Sequence, residues 1–307
     1  MTRLGELLRK QGHFLLENDL HALVYIAILA LIPFAAWLSV AVVALITLRK
    51  GWGAGFKGVV VGVVSMLLLS LLSSSWSASF MEAVIAFLPC YLTAGILRET
   101  MSWRIAVAFI VLQALTGIVL VHWLAPEFIN QQYQLIQTVL KGLESDDAVA
   151  GLLSNQDVVN PIVIANYIVG VQAVSIILSA VASLMLARST QANLFYPGGY
   201  RQEMLGFRAS PWGVIILLAS AIGAYQHFPL AISCLPLLVV YYASAGISIG
   251  FNILTKGKKG IGTLFLLLLP LILLPFVMLP IYVLLGALDS LFNFRLYLLV
   301  KTGGKTD

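Results

Sequence analysis

The spacing of charges constrains this chain more than any other feature. Asp19 and Arg49 are separated by 29 uncharged residues, and Lys57 and Arg98 by 40 that hold only Glu82. Further uncharged windows of 22, 30, 47 and 29 residues follow Arg104, Asp157, Arg208 and Lys259. A helix crosses the hydrocarbon core of a bilayer with about 20 mostly apolar residues. Each window is long enough for a span. The 40- and 47-residue windows hold two each, with turns at Ser73–Ser77 and at Gly223–Pro229 around His227. Charged residues make up 10% of the chain, against about 25% in a soluble domain. Too few polar groups remain to cover a water-facing surface. That excludes a soluble enzyme, a nucleic-acid-binding domain and a disordered tail. Cys90 and Cys234 both lie in apolar stretches and offer neither a disulfide framework nor a metal site.

Topology follows from lysine and arginine, which stay on the cytoplasmic side in short loops. Spans near 58–73, 79–97, 104–125, 161–187, 211–224 and 229–254 place Arg49, Lys50, Lys57, Arg98, Arg104, Arg188, Arg201, Arg208, Lys256, Lys258 and Lys259 on one side. Lys141 alone falls on the other. Residues 20–48 read either as one kinked span or as two short helices hinged at Pro33. Charge favours the hinge, which keeps Arg3, Arg9 and Lys10 on the basic side. Length favours one span, because halves of about 14 residues rise only about 21 Å. The hinge is the preferred reading. Residues 261–288 pose the same question, with Pro270, Pro275 and Pro280 predicting a kinked or broken helix.

The expected fold is an all-α polytopic integral membrane protein with about eight to ten transmembrane helices, some short or proline-broken. Residues 1–19 alternate leucines with Arg3, Arg9 and Lys10 and read as an amphipathic surface helix, not a signal peptide. A first membrane group covers 20–125. The extracytoplasmic segment 126–160 predicts an amphipathic helix over Glu127–Leu143, then a second piece after the acidic cluster Glu144–Asp147. It reads as a lid over a cavity or as a helix resting on the bilayer. A second membrane group covers 161–288 with a polar cytoplasmic loop at 188–210, and 289–307 forms an amphipathic tail.

No enzyme signature is present: no His-Glu-x-x-His, no nucleophile elbow and no phosphate loop. Gly51–Gly55 stands beside basic residues with no preceding strand and reads as a flexible turn. Ionisable residues within a membrane suggest function by default. Glu82, His122 and His227 all lie near the outer boundary, where they can also simply reach water. Gln113 and Gln172 come near the midplane of adjacent antiparallel spans, with Thr116, Asn166 and Tyr167 further out. They read as solute ligands or as an interhelical hydrogen bond. Ser175, Ser179 and Ser183, and the pairs Gly58/Gly62 and Gly246/Gly250, mark packing faces.

The polar stretch Leu186–Arg208 holds Tyr196-Pro197-Gly198, which suits a type II turn. Together with Leu285–Arg295 and Ala44–Trp52, it resembles the YybS-like bacterial membrane proteins, a family carried as a domain of unknown function. That family is distantly similar to the substrate-binding subunits of energy-coupling-factor transporters. The resemblance implies an inner-membrane protein of a bacterium and a small, vitamin-like solute bound from outside. The Ala-x-x-x-Ala docking pattern of those subunits is absent between Ala22 and Ala44, and none of their ligand residues carries over. Asp289 and Arg295 are six apart, so on one continuous helix they would face different sides. Asp289 is expected instead to cap a helix at Ser290 or to meet Arg201 or Arg208.

These readings give a non-catalytic, multi-pass protein with no cofactor, no metal and no nucleic-acid partner, in contact with membrane lipid. The leading expectation is a small-solute transport subunit whose outward-facing site is built by Glu82, Gln113, Asn166 and Gln172. The alternative is an assembly or scaffold protein. It would hold a membrane or cytoplasmic protein partner through Tyr196, Pro197, Gly198, Arg201 and Arg208 in loop 188–208, and through Asp289 and Arg295.

Overall fold

The computed structural model describes residues 16–32, 34–70, 76–144, 160–254 and 260–295, with Gly12 and Phe14 besides. Most of the 1–19 surface segment lies outside these ranges. So do Pro33, residues 73–75, the acidic cluster beyond Glu144, Lys256, Lys258, Lys259 and the tail after Arg295. The described residues form helices and no strand. In chain order these are α1 (Asp19–Leu31), α2 (Ala36–Lys50), α3 (Trp52–Ser70), α4 (Trp76–Thr100), α5 (Trp103–Leu124) and α6 (Pro126–Glu144). They continue with α7 (Pro161–Phe195), α8 (Gly199–Leu205), α9 (Trp212–Tyr225), α10 (Pro229–Leu254), α11 (Gly260–Leu273) and α12 (Pro275–Phe292).

Among the described residues, six helices are long and apolar enough to cross a membrane: α3, α4, α5, α7, α10 and α12. The shorter apolar helices α1 and α9 accompany them. Leu120, Phe265, Leu269 and Phe276 point outward, as side chains solvated by lipid do. With no water in hydrocarbon, each backbone amide must bond within its own helix, which is why only helices span here. This is an all-α, multi-pass membrane protein. The chain divides into two compact units, residues 1–110 with 176–207, and residues 111–175 with 208–307.

In the first unit, residues 20–48 are two helices and not one span. The chain breaks between Leu31 and Ala36, with Phe34 at φ 64°. Ser39 Oγ donates to Ile26 O at 2.8 Å, and Lys50 pairs with Asp19, so α1 and α2 are antiparallel and their outer ends meet. Every residue from Ser39 to Leu48 of α2 is buried. Gly58 lets α3 close on Ile26 and Val43, and Gly62 seats against the Phe87 ring. Both act as packing positions. The second half of α7 joins this unit through Ser183 Oγ to Trp37 O (2.8 Å) and Cys90 Sγ to Ala180 O (3.4 Å).

Two expectations are corrected here. α4 begins at Trp76, so Trp76 and Ser77 are helical and not part of a turn. The polar segment from Arg188 is not all loop, because α7 continues through it to Phe195. Nothing between Arg188 and Phe195 breaks a helix, and the first proline is Pro197. At about 1.5 Å per residue, the 35 residues of α7 outrun the hydrocarbon core. Its polar end therefore projects as helix. The turn that follows is the expected one: Gly198 has φ 90° and Gly199 N bonds Tyr196 O at 3.0 Å.

In the second unit, α10 and α12 meet through a reciprocal glycine pair. A Cβ on Gly246 would lie 2.0 Å from Tyr282 O, and one on Gly286 would lie 2.0 Å from Tyr242 O. Arg295, just past the end of α12, reaches Ser248 toward the end of α10, so the two helices run in the same direction. Parallel neighbours need a return segment, and α11 supplies it. The chain turns at Leu274, and Tyr282 Oη reaches Leu267 O at 2.7 Å. On one straight helix those residues would stand about 22 Å apart. Pro275 sits in the first turn of α12, where a missing N–H costs nothing. Tyr241 and Tyr242 hold the chain entering α9, accepting from Ser210 N and donating to Ser210 O, each at 2.7 Å.

Asp289 does pair with Arg295, against expectation. α12 stops at Phe292, and Asn293 adopts φ 51°, ψ 56°, donating its N–H to Asp289 O. That left-handed residue, which asparagine tolerates, turns the chain back. Arg295 Nε then bonds Asp289 Oδ2 at 3.1 Å, and its Nη2 donates to Ser248 Oγ at 3.3 Å. Helical periodicity misled because the helix ends between the two residues. Asp289 lies inside α12 and caps nothing.

Candidate solute groove

The second half of α5, the helix α9 and the start of α10 enclose an open groove of about 500 Å³ in the second unit. Leu112, Leu115 and Val119 form one wall, Ile216 and Ala219 another, and Ala231 and Cys234 the third. A second hollow of about 510 Å³ shares Val119, Phe228 and Leu230 with the first and continues to His122 and Trp123. The walls are almost wholly apolar, so they suit a hydrocarbon or ring surface. Volumes of this order match ordinary small-molecule sites.

The polar element at the far end is built by three helices. Gly170 brings α7 against α10, since a Cβ there would lie 2.3 Å from Ser233 O. One turn earlier on α7, Asn166 is 2% exposed and turned toward α5 and α10. His122 Nε2 stands 3.0 Å from Asn166 Oδ1, and His122 Nδ1 2.9 Å from Ile118 O. Asn166 Nδ2 donates to Ile162 O at 2.7 Å. Ser233, fully buried, donates to Asn166 O at 2.8 Å and stands 3.4 Å from His122 Nε2.

Of the four expected solute ligands, only Asn166 belongs to this network. Gln113 is half-buried on α5, Gln172 is exposed on α7, and neither lines the groove. Glu82 belongs to the first unit and is exposed on α4. Thr116 does line the groove, and its hydroxyl bonds back to Leu112 O. Ser233 escaped sequence reasoning. The signal available was Asn166 and Gly170 four apart, a polar and a small residue on one helix face.

The expected partner residues divide. Tyr196, Pro197 and Gly198 are exposed at the tip of their turn. Arg208 is half-buried, and the Arg201 side chain lies outside the described set. Asp289 is fully buried and Arg295 nearly so, which removes both from an outward-facing surface. What fixes the polar segment is a cluster that sequence reasoning missed. Arg188 binds Glu203 through Nε (3.0 Å) and Nη2 (2.5 Å), and Trp103 Nε1 donates to the same carboxylate at 2.9 Å. Burial works against the Glu203 carboxylate. The hydrogen bonds from Arg188 and Trp103, with the Arg188 charge, outweigh it and hold the carboxyl below its ordinary range. No protein-family model, curated protein or solved structure matches the chain.

Proposed function

We propose that this chain is a non-catalytic membrane protein that binds a small amphiphilic solute in the groove of its second unit. It acts as a transport subunit of a bacterial cytoplasmic membrane. The observation that carries this reading is the continuity of the apolar groove with the His122–Asn166–Ser233 network. An apolar body fits against Leu112, Val119 and Ile216, and a polar group fits near His122. Walls this apolar favour an amphiphile over a freely water-soluble vitamin, because an unpaired polar group in such a site costs about 1–3 kcal/mol. By the charge rule, the end of α5 and the start of α10 lie away from the basic loops. The solute would enter from that side.

The test is native mass spectrometry of the protein extracted in mild detergent, with Ala219→Trp and Ala231→Trp to fill the groove. A discrete adduct of a few hundred daltons, present in the parent and lost in both variants, supports the reading. An adduct that survives both substitutions, or none in the parent, overturns it. One observation favours a scaffold as the second reading: the Arg188–Glu203–Trp103 cluster holds the segment carrying the exposed Tyr196–Gly198 turn. A stoichiometric protein partner lost in Tyr196→Ala would select it.

A further inference from the structure

We propose that the ligand of the groove is a bilayer glycerolipid, one of whose hydrocarbon tails enters sideways from the leaflet away from the basic loops. The proposal rests on the groove being a binding site, the reading given above, and names the ligand class and its route. Depth is the first support. Trp103 and Arg104 open α5 at the basic boundary, and Leu112, at the inner end of the groove, stands about 14 Å further along the helix. From Leu112 to Trp123 is about 17 Å more. The hydrocarbon core is about 30 Å thick, so the groove runs from the midplane to the outer interface. That is the reach of one tail in one leaflet. Trp123, 83% exposed, marks the interface, where tryptophan is favoured. Among the described residues its indole N–H has no partner, so it is free to donate to an ester carbonyl.

The opening is the second support. Leu112, Val119, Ile216 and Phe228 line the groove and are still between 42% and 59% exposed. Behind them α9 and α10 close together, since a Cβ on Gly223 would lie 2.7 Å from Ala231 Cβ. The groove is therefore a trough whose free side is continuous with the lipid-facing surface of the spans. Charge is the third support: among the described residues, no Asp, Glu, Lys or Arg lines either hollow. The walls match an uncharged chain. Water cannot fill such a trough, because each molecule needs two to four polar partners. An empty trough would forfeit the dispersion contacts of its lining. A tail already beside the opening has no water to shed on entry, because lipid tails are as apolar as the leucines it meets.

The test uses the full chain in nanodiscs of dioleoylphosphatidylcholine carrying a small fraction of phosphatidylcholine with a photoreactive diazirine at the end of one tail. After irradiation and digestion, mass spectrometry reads which residues carry lipid. Leu218 on α9 is the control: it lies outside the groove, close in depth to Ile216, and is more exposed, 59% against 42%. Bulk lipid labels by exposure and favours Leu218. A tail bound in the groove favours Ile216 and Leu112, and a diazirine placed beside the ester moves the label to Phe228 and Trp123. In Ala219→Trp and Ala231→Trp the groove labels are lost and the Leu218 label stays. Leu218 ahead of Ile216, with the tryptophan variants without effect, overturns the proposal. So does a groove that neither probe reaches while Leu218 is labelled, which means that another segment of the chain or a second copy fills it. The native mass spectrum separates this failure from that of the underlying reading. Without groove labels, a non-lipid adduct lost in both tryptophan variants overturns the lipid and keeps the solute, whereas no adduct overturns both. The wild-type ranking of Ile216 over Leu218 decides even if a tryptophan variant fails to fold.

Discussion

The reciprocal glycine contact between α10 and α12 leaves no room for a side chain at either position. Real Cβ atoms essentially never approach another heavy atom under 3.0 Å, yet one on Gly246 would stand 2.0 Å from Tyr282 O. The obstacle is backbone, so Gly246→Ala must part the two helices by about 1 Å. Forcing that much volume into a packed contact costs about 1–3 kcal/mol. For a cooperative unit of this size, that is a fall of roughly 5 °C in melting temperature. Buried thiols supply the assay, because Cys90 lies in the first unit and Cys234 in the second. In a Cys90→Ala background, a thiol-reactive dye reads the opening of the second unit through Cys234. In a Cys234→Ala background it reads the first unit through Cys90. Gly246→Ala should lower the Cys234 transition and leave the Cys90 transition in place. Gly286→Ala should do the same, and the double variant should cost less than the sum, since both relieve one contact. Gly117→Ala on α5 is the control: nothing lies within 4 Å of its Cβ, so helix propensity makes it neutral or slightly stabilising. An unchanged Cys234 transition in Gly246→Ala, with Gly117→Ala equally silent, would refute the close helix contact.

Three further perturbations follow. Asp289→Asn leaves Arg295 buried without its counter-charge and should cost about 3–5 kcal/mol by the Cys234 reporter; adding Arg295→Gln should recover part of that loss, whereas additive losses would deny the pairing. Gly51→Ala forces a Cβ onto a residue at φ 97° and within 2.2 Å of Arg98 Nη1, so the Cys90 transition should fall by the equivalent of about 1–2 kcal/mol. Glu203 is held below its ordinary range in the folded chain, so its contribution is full above the unfolded glutamate value of about 4.3 and is lost as pH falls through the lower folded value. Limited proteolysis near Tyr196 should accelerate only in that acid range, and Glu203→Gln should show the faster cleavage already at neutral pH.

The membrane architecture was legible because lipid makes a charge expensive wherever it falls, so gaps between charges mark spans whatever the tertiary structure. The same logic chose the hinge over a single span in residues 20–48, and the Asp19–Lys50 pair bears that out. Local signals also held at Tyr196–Gly199, where proline and glycine fix the turn by their own dihedral limits. What sequence spacing could not deliver were contacts created by a chain reversal. Asp289 and Arg295 face apart on a continuous helix, but α12 ends at Phe292 and the left-handed Asn293 turns Arg295 back. The site was half legible for a related reason. His122 and Asn166 stood out as polar residues in apolar runs, but 44 positions separate them and Ser233 lies 67 further on. Nothing in one sequence says which helices share a neighbour. The groove walls were invisible altogether, because a leucine that faces a solute and one that faces an acyl chain obey the same periodicity.

The two helix pairs α1–α2 and α11–α12 have a consequence for orientation that depends only on parity. Asp19 and Lys50 meet, so α1 and α2 together leave the bilayer on the side they entered, however deep they reach. Arg295 bonds Ser248 near the end of α10, so α11 and α12 likewise return the chain to the side where α10 ends. Each pair contributes an even number of passages or none. Lengthening either pair, trimming it to a shallow loop or deleting it whole would leave every other helix pointing the same way. A reporter fused before Asp19 or after Arg295 therefore reads the sidedness of α3 and α10, not the depth that either pair reaches.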